Sequence, residues 1–594
     1  GANHSAASSF FLPLDRIQRA LEKLREGEPV TRGTLQTTFR SEPFDELQRL
    51  GLTEASERYV REHQPEQTGM LTVGQVIPGS AASSVLAPGD ILISINGESV
   101  TQFVPLAAVL DNHVGNEVEI RVERGGRAID ARIHVDDLHK ITPDEYIEFG
   151  DAIVNQLSYQ QARHYNRPAS GVYVANPGYL LSRAAVPRGA VVVEMDGKPI
   201  DTLDDFEASL NELADGERAL VRYVTMENPQ NPVVRLLEMD RVWFPSRRCS
   251  RDDAIGVWPC RELADGPPPA APETGSTRLT SFRDPVLRAI APSLVVVTFD
   301  LPYTLSGVGV RHYYGTGLIV DKARGLVLVD RNTVPLAIGD VTITVAGSLE
   351  VRGKVEQLHP LHNYALVSYD PDSIGSTPVR EARFDTSTVR PGEKVWVVGI
   401  KGDHQFVHQE STVASVDPLM LPLSRTLRFR DSNIEGISLV NAPNDFDGVL
   451  VNDDGEVRAT WSSFAVQSGS DLAQFNRGIR AEVAEQFVDI VRRGEPIYSL
   501  EAEFVYSPLF AARKMGVDEE WVRRLEENNP VRRRALSITR IVAGSPAAEV
   551  LRNGDMLLAI DDEVVTSFRE LEHAAQKPEV KVTVWRNDEV LDMQ

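Results

Sequence analysis

Two segments of the chain repeat each other without a gap, and this repeat limits the folds that are possible. Residues 76–100, VIPGSAASSVLAPGDILISINGESV, align with residues 541–565, IVAGSPAAEVLRNGDMLLAIDDEVV. Gly89 aligns with Gly554, and every other pair in the alignment has the same separation. The two stretches are therefore copies of one internal repeat.

A weaker third copy lies between these two. Residues 188–200, RGAVVVEMDGKPI, repeat the pattern PGDILISINGESV, with Ala190 where the other copies have aspartate. Alternating apolar residues predict a strand with one buried face, and the Asn-Gly or Asp-Gly pair predicts a hairpin turn. A helical pattern follows each copy, at residues 103–114, 203–214 and 568–575. We therefore expect three modules with one local plan.

Length and charge narrow the class of protein. A chain of 594 residues is too long for one hydrophobic core and predicts several domains. The formal charge of -24 disfavours nucleic acid and anionic membranes as partners. The longest apolar runs, such as SLVVVTF from Ser293, are far shorter than a membrane-spanning helix. We expect a soluble protein with no nucleic-acid partner, no membrane insertion and no cofactor.

The two cysteines do not identify a compartment. Cys249 and Cys260 lie eleven residues apart around the stretch RDDAIGVW. They could form a disulfide in an oxidising compartment, but a pair of buried free thiols is the favoured interpretation.

The first residues predict a helix in a larger protein. The opening GANHSAASSFFLPLDR has neither an initiator methionine nor the pattern of a signal peptide, so we expect an origin inside a longer chain. Leu14, Ile17, Leu21 and Leu24 recur at helical spacing within residues 10–25 and predict an amphipathic helix.

The middle of the chain predicts strands joined by tight turns. Residues 313–334, YYGTGLIVDKARGLVLVDRNTV, predict two strands, and residues 444–457, NDFDGVLVNDDGEV, predict a loop, a short strand, a turn and a second strand. Residues 262–281 are rich in Pro, Gly, Ser and Thr without periodicity and predict a linker.

The repeated motif resembles PDZ domains of the HtrA (DegP-like) type, on the residues GSAA, GDILISING and RGTLQ. The resemblance implies capture of an extended carboxyl-terminal peptide as an added strand. The implied groove in the first copy has a loop on one side and a helix on the other, formed by Arg32, Gly33, Thr34 and Leu35 and by Phe103, Leu106 and Leu110. The alternative is that these apolar residues only fill a small core, and it stays open for all three copies.

The middle region resembles an HtrA protease domain, on the segments GTGLIVDKARGLVLVDRNTV and HPLHNYAL. In that alignment the general base falls on Thr333, the orienting aspartate on Asn363 and the nucleophilic serine on Phe446. A hydroxyl, an amide and a phenyl ring cannot perform those three roles. The resemblance therefore implies a degenerate, catalytically inactive protease domain.

Neighbouring residues offer little replacement chemistry. His359 and His362 are three residues apart, but the segment is extended and no acidic or thiol partner has a suitable spacing, so we expect no metal site. Ser462 and Ser463 are interpreted as exposed hydroxyls after a strand.

The order of these parts resembles the duplicated HtrA-type serine proteases, a group that includes a plant Do-like protease with a degenerate second protease domain and a fungal pro-apoptotic nuclear HtrA-like protease. It implies a mainly β chain with some helix, a chymotrypsin-like double β-barrel flanked by PDZ domains. The predicted domains are the end of a first trypsin-like protease domain, the first module (a PDZ domain), the second module (PDZ-like), a linker, the degenerate protease domain and the third module (PDZ-like): residues 1–30, 31–137, 138–247, 248–281, 282–496 and 497–594.

The resemblance implies a function in ATP-independent protein quality control. The parent protein would be a serine endopeptidase, and this chain, without the triad, would be inactive alone. Its PDZ domains would bind carboxyl termini or unfolded segments of substrates, and the inactive domain would support a homo-oligomer. The alternatives are that the chain is itself a hydrolase through a repurposed site, or that it is purely a structural oligomerisation module. The family occurs in nuclei and chloroplasts, and the residues do not choose between them.

Overall fold

The computed structural model describes residues 13–270, 274–305, 308–419, 432–468 and 471–594. For residues 465–468 and 471–474 it describes the backbone, and for the others the side chains as well. The chain divides into two compact units, Gly1–Ala271 and Pro272–Gln594. No helix among the described residues is long and apolar enough to span a membrane.

The predicted first helix is present as α1 (Asp15–Glu26), with Gly27 as its carboxyl-terminal cap. Its apolar face is open among the described residues, because Leu14, Ile17, Leu21 and Leu24 are between 45% and 66% exposed. The predicted residues 10–12 lie outside the described residues.

The first module is a sheet in the order β2-β3-β4-β6-β7, with β5 beside β4 and a separate β1-β8 pair. Its strands and helices are β1 (Gly33–Thr34), β2 (Thr37–Pro43), α2 (Phe44–Leu50), α3 (Glu54–His63), β3 (Gly69–Val76), a 3-10 turn (Ala81–Ser84), β4 (Ile91–Ile95), β5 (Glu98–Ser99), α4 (Phe103–Asn112), β6 (Glu117–Arg124), β7 (Arg127–His134) and β8 (Asp136–Asp137). In this order β2 is an edge strand.

The second module has the same plan with three further strands, in the order β15-β14-β12-β11-β10-β9-β16-β17 and with β13 beside β12. Its elements are β9 (Glu145–Phe149), β10 (Ala152–Gln156), α5 (Tyr159–Tyr165), β11 (Val172–Asn176), α6 (Leu180–Arg183), β12 (Val191–Met195), β13 (Lys198–Pro199), α7 (Leu203–Glu212), β14 (Arg218–Val224), β15 (Val233–Glu238), β16 (Arg247–Ser250) and β17 (Cys260–Glu262).

Two features of this region differ from the sequence predictions. Strands β16 and β17 extend the sheet of the second module into the stretch predicted as a linker from residue 248. The interpretation of the cysteines as free thiols is wrong, because Cys249 and Cys260 form a disulfide. They lie directly opposite each other on the antiparallel pair β16-β17, a register that the spacing of the two residues did not reveal.

Two closed six-stranded barrels follow, in the described part of residues 282–496, and confirm the prediction of a double barrel. The first barrel has the order β18-β19-β20-β23-β22-β21 and the second β24-β25-β26-β29-β28-β27. The elements are α8 (Pro285–Ile290), a 3-10 turn (Ala291–Ser293), β18 (Leu294–Asp300), β19 (His312–Asp321), β20 (Leu326–Val329), β21 (Asp340–Val345), β22 (Leu349–Leu358), β23 (Ala365–Tyr369), a 3-10 turn (Pro371–Ile374), β24 (Lys394–Ile400), β25 (Phe406–Pro418), β26 (Glu435–Leu439), β27 (Gly448–Val451), β28 (Val457–Ser468), β29 (Asp471–Arg480) and α9 (Ala481–Arg493).

The third module repeats the first, in the order β30-β31-β32-β34-β35 with β33 beside β32. Its elements are β30 (Ala502–Pro508), α10 (Leu509–Lys514), α11 (Glu519–Asn528), β31 (Arg534–Ile541), α12 (Ala547–Val550), β32 (Met556–Ile560), β33 (Glu563–Val564), α13 (Phe568–Ala574), β34 (Val582–Arg586) and β35 (Glu589–Met593). The mainly β fold class with some helix is therefore confirmed, whereas the exact domain boundaries stay predictions.

An ion pair to a buried carboxylate explains the aspartate of the repeat. Asp90 is fully buried and is paired with Arg124 at 2.6 Å, and Asp555 is paired in the same way with Arg586 at 2.6 Å. A buried carboxylate needs such a partner. Ala190, fully buried, takes this place in the second module, where an apolar side chain removes the need for a cation.

Candidate functional site

The predicted groove of the first module lies between the edge strand β2 and helix α4. Among the described residues no strand pairs with the outer edge of β2, so its outward backbone groups can accept an added strand. Phe103, at the start of α4, is 48% exposed. A partly exposed ring on the helix that holds the loop before β2 is available to an apolar side chain of a bound peptide.

The other apolar residues predicted for this groove lie deeper. Leu35, Leu106 and Leu110 are between 2% and 7% exposed and belong to the core cluster of the module. They form the floor on which the groove rests. The alternative interpretation, that they fill the core, therefore describes these three better than it describes Phe103.

The loop before β2 is fixed by a carboxylate of the helix. Asp111 accepts hydrogen bonds from the Gly33 amide at 2.9 Å and from the Arg32 guanidinium at 2.8 Å. A side chain on Gly33 would collide with the Leu110 carbonyl, which an added Cβ would approach to 2.1 Å. Thr34 Oγ1 accepts from the Gln36 amide at 2.9 Å. The predicted loop residues thus hold the loop against the end of α4.

The structure also shows what the predicted triad positions contact. Thr333 is 3% exposed, and both its amide and its hydroxyl donate to Asp330, each at 2.8 Å. Asn363 is fully buried, accepts from the Arg331 amide at 2.8 Å and donates to the Ser463 carbonyl at 3.1 Å. Both side chains are used to hold the turn after β20.

Phe446 is part of the apolar lining of the second barrel. Its ring lies against Gly399, where an added Cβ would approach Cδ2 to 2.7 Å, and its carbonyl accepts from Asn476 at 3.0 Å. The next residue, Asp447, reaches the first barrel and accepts from the Thr316 amide at 3.3 Å. Position 446 therefore anchors the strand that follows it.

Thr333 and Asp447, the residue after Phe446, come together at Gly315. A Cβ on Gly315 would meet Thr333 Oγ1 at 2.1 Å and Asp447 Oδ2 at 2.6 Å, so both polar atoms lie against one backbone atom. The roles of Thr333, Asn363 and Phe446 as former triad positions stay a prediction. Their contacts supply neither a basic nitrogen nor a nucleophile at this place.

Two acidic residues that the sequence analysis did not select occupy this place. Burial raises the pKa of Asp330, which keeps hydrogen bonds from Thr333. Burial and the negative charge of Asp330 raise the pKa of Asp447 to about 8. Both line a cavity of about 20 Å³, which holds little more than one water molecule. An aspartate at the end of an apolar strand, as in LVLVD, was the available signal.

The two histidines and two serines considered above are buried or partly buried. His359 and His362 stack at 4.6 Å, and burial holds the pKa of His359 well below its usual range. Within the described residues there is no cluster of three or more His, Cys, Asp or Glu side chains that could hold a metal ion. The interpretation of Ser462 and Ser463 as exposed hydroxyls after a strand is wrong, because both lie within β28 and Ser462 is 3% exposed.

Comparison with known proteins places these features in a family. The PDZ domain family matches residues 72–124, in the first module, and the PDZ-like domain family matches residues 140–216, in the second. Pro-apoptotic serine protease nma111 of Aspergillus clavatus is 32% identical over the whole chain, and the corresponding protein of Ajellomyces capsulatus is 34% identical over 96% of it. The chain spans 59% and 57% of the length of these two curated relatives.

Solved structures of an HtrA-type protease, AlgW, bound to a tripeptide or a decapeptide are similar to part of the chain. Each is 16% identical and covers 52% of this chain and 93% or 95% of its own, with TM-scores of 0.38 and 0.36. Nothing further rests on that likeness. The chain is therefore similar over its whole length to HtrA-like serine proteases, and its first two modules match PDZ and PDZ-like domain families.

Proposed function

We propose that this chain is the peptide-binding and scaffolding part of an HtrA-type serine endopeptidase that acts in protein quality control. The first module binds the carboxyl terminus or an unfolded segment of a substrate protein. The observation that carries the proposal is the outer edge of β2, which pairs with no strand among the described residues, together with the exposed ring of Phe103 on the helix that holds the loop before β2.

The binding mode follows from the geometry of an edge strand. A peptide pairs with β2 through main-chain hydrogen bonds, which are independent of sequence, and places alternate side chains towards α4. An apolar side chain then covers Phe103, which is the source of selectivity. Extended, apolar segments are the parts of a substrate that unfolding exposes.

The barrels serve assembly and do not cut peptide bonds. The proposal is supported by the turn around Thr333, whose hydroxyl is bound to Asp330, and by the absence of room for a substrate in the cavity of about 20 Å³ beside it. We expect no labelling of the full chain by a fluorophosphonate probe. Labelling at any serine would favour the alternative of a repurposed hydrolase.

Titration of the full chain with a fluorescent decapeptide that ends in apolar residues tests peptide binding. Phe103→Asp should weaken binding by at least about tenfold, because it places a charge in the groove while it disturbs little packing. Leu35→Asp is unsuitable, because Leu35 is 2% exposed and a buried charge would unfold the module. The same peptide with an amidated carboxyl terminus measures the contribution of the carboxylate. No saturable binding by the unsubstituted chain would contradict the proposal.

Static light scattering over a range of concentrations tests assembly. We expect a homo-oligomer, and a monomer at every concentration would leave the barrels without the proposed role.

A further inference from the structure

Equivalent residues in the three modules differ in exposure. Phe103, Leu203 and Phe568 are the same position of the repeat, at the start of the helix that faces the edge strand. Phe103 is 48% exposed, whereas Leu203 and Phe568 are 4% and 3% exposed. Something therefore covers this position in the second and third modules.

The backbone register identifies equivalent edge strands. Strands β2, β10 and β30 each contain an irregularity where they pair with the next strand, immediately before Phe39, Val154 and Phe504 respectively. These three residues are therefore equivalent. In each module, a peptide that adds to the edge must bond with the outward groups around this residue.

In the second module the chain itself fills the groove. Strand β9 pairs antiparallel with β10, with Phe149 opposite Ala152 and Ile147 opposite Val154. Ile147 and Phe149 are fully buried, and the ring of Phe149 lies 5.5 Å from that of Phe206 on α7. Strand β9 thus has the place, the direction and the apolar side chains of a peptide ligand, and a two-residue turn joins it to the strand that it covers.

Further strands fasten β9 in this place. Strand β16 pairs with the other edge of β9, and Arg247 is paired with Glu148 at 2.7 Å. Arg248 on β16 bonds both to Glu145 on β9 and, at 3.0 Å, to Glu207 on α7. The strand is therefore tied to both walls of the groove.

In the third module a side chain from the second barrel occupies the edge. Asn433 Oδ1 accepts from the Phe504 amide at 2.9 Å, and Asn433 Nδ2 donates to the Ala502 carbonyl at 2.9 Å. One amide group thus makes the two bonds that a paired strand would make there. Asn433 Nδ2 also lies 3.0 Å from Glu572 on α13, so it bridges the strand and the helix.

A second group of contacts, around Glu435, covers Phe568 in the third module. Glu435 accepts from the Tyr506 hydroxyl at 3.1 Å, and the ring of Tyr506 stacks on Phe568 at 4.2 Å. Arg534 adds an ion pair to Glu435 at 2.6 Å. These contacts account for the burial of Phe568.

We propose that the chain binds one peptide strand, in the first module, because its own residues fill the grooves of the second and third modules. The second groove is closed by a continuous strand and the third by Asn433. This inference rests on the proposed function for the site of binding, but the occupation of the two grooves can be tested without a peptide.

Calorimetric titration of the full chain with the decapeptide tests the number of sites. We expect one binding event per chain, and in Phe103→Asp we expect the same single event with an affinity at least about tenfold lower. Two or three events, or an event whose affinity Phe103→Asp leaves unchanged, would overturn the inference. Complete absence of binding would instead contradict the proposed function.

Amide hydrogen exchange tests the occupation itself. In the free chain we expect slow exchange at Val154 and Phe504 and fast exchange at Phe39. Asn433→Gly should speed exchange at Phe504 by at least about tenfold, since glycine accepts the backbone angle of φ 55° at this position. The control Asn441→Gly, in an exposed turn, should leave Phe504 unchanged. Fast exchange at Val154 or Phe504 in the unsubstituted chain, or no effect of Asn433→Gly, would overturn the inference.

Discussion

The first and second modules share one plan and differ in one strand. In the first module the edge of β2 is open among the described residues, and in the second β9 covers the equivalent edge of β10. The motif that identifies the domain, around Gly89 and Gly189, is present in both. The difference teaches that a module can keep the PDZ-like core and lose the place for a ligand, since the core motif does not include the groove.

The largest expected effect is a difference in stability between substitutions of two rings. Phe149 fills the groove of the second module, whereas Phe103 borders the groove of the first. Phe149→Ala should destabilise the second module by about 3–5 kcal/mol, because it leaves a cavity in a closed core. Phe103→Ala should cost less than about 1 kcal/mol, because that ring is half exposed. Hydrogen exchange at the amides of β11 and β3 measures each module separately. Equal losses would remove the contrast between the two grooves.

Removal of the disulfide tests how much β16 and β17, which belong to the second module, contribute to its stability. Cys260→Ser should lower the stability of this module by about 2–3 kcal/mol, because the cross-link between β16 and β17 no longer restricts the unfolded chain. The affinity of the first module for peptide should not change. Chemical denaturation followed through exchange at β10 measures the effect, with Ile255→Ala, at a side chain that is 65% exposed between β16 and β17, as the control substitution. A loss of peptide binding would link the two modules more closely than we expect.

In the barrels, too, the chain's own side chains occupy a predicted site. Asp330 and Asp447 lie beside Thr333, at the place of the predicted triad positions. In the folded chain Asp447 keeps its proton up to about pH 8, whereas in the unfolded chain it loses the proton near pH 4. The contribution of Asp447 to the free energy of unfolding is therefore complete below about pH 4. It falls as the pH rises and is lost by about pH 8.

Asp447→Asn removes this dependence. The amide keeps an acceptor for the Thr316 amide and never ionises, so the variant should gain about 1 kcal/mol or more over the unsubstituted chain between pH 5 and pH 8.5. Urea unfolding at the two pH values measures the gain, and Asp445→Asn, at an exposed carboxylate, is the control. A difference that does not vary with pH would show that Asp447 is already ionised at pH 5.

The smallest expected effect concerns the hairpin turn of the repeat. The second turn residue is Gly97 in the first module and Asp562 in the third, with φ of 82° and 68°. Aspartate is strained in this region, so Asp562→Gly should stabilise the third module by about 0.4–1 kcal/mol. Thermal unfolding of the variant measures the shift. Destabilisation would mean that the Lys581 ion pair with Asp562 contributes more than the backbone strain costs.

Local patterns predicted much of the fold. The repeat predicted the helices that start at Phe103, Leu203 and Phe568, and apolar alternation predicted β27 and the start of β28, since these patterns depend on neighbouring residues. The segment EYIEFGDAIVNQ also carried a signal, with alternating apolar residues on both sides of a Gly-Asp turn, and it predicts the β9-β10 hairpin once the pattern is noticed.

The occupant of the third groove could not be predicted in this way. Asn433 bonds to Ala502 and Phe504 across a long stretch of sequence, and an asparagine has no pattern that reveals such a partner. The cysteine pair depends on the register of β16 and β17, and the burial of Leu35 depends on how the loop folds onto α4. The Asn433 contacts and the burial of Leu35 are set by packing between distant segments, and the cysteine pair is set by the register of two neighbouring strands.

The turn at Gly150 and Asp151, which joins β9 to β10, has a thermodynamic consequence. A ligand on a short tether is present at an effective concentration in the millimolar range or above, whatever the dilution of the protein. Added peptide raises the melting temperature of a module whose ligand is free in solution, through mass action. The second module carries its ligand permanently, so its melting point should be indifferent to peptide and can act as an internal reference for the first.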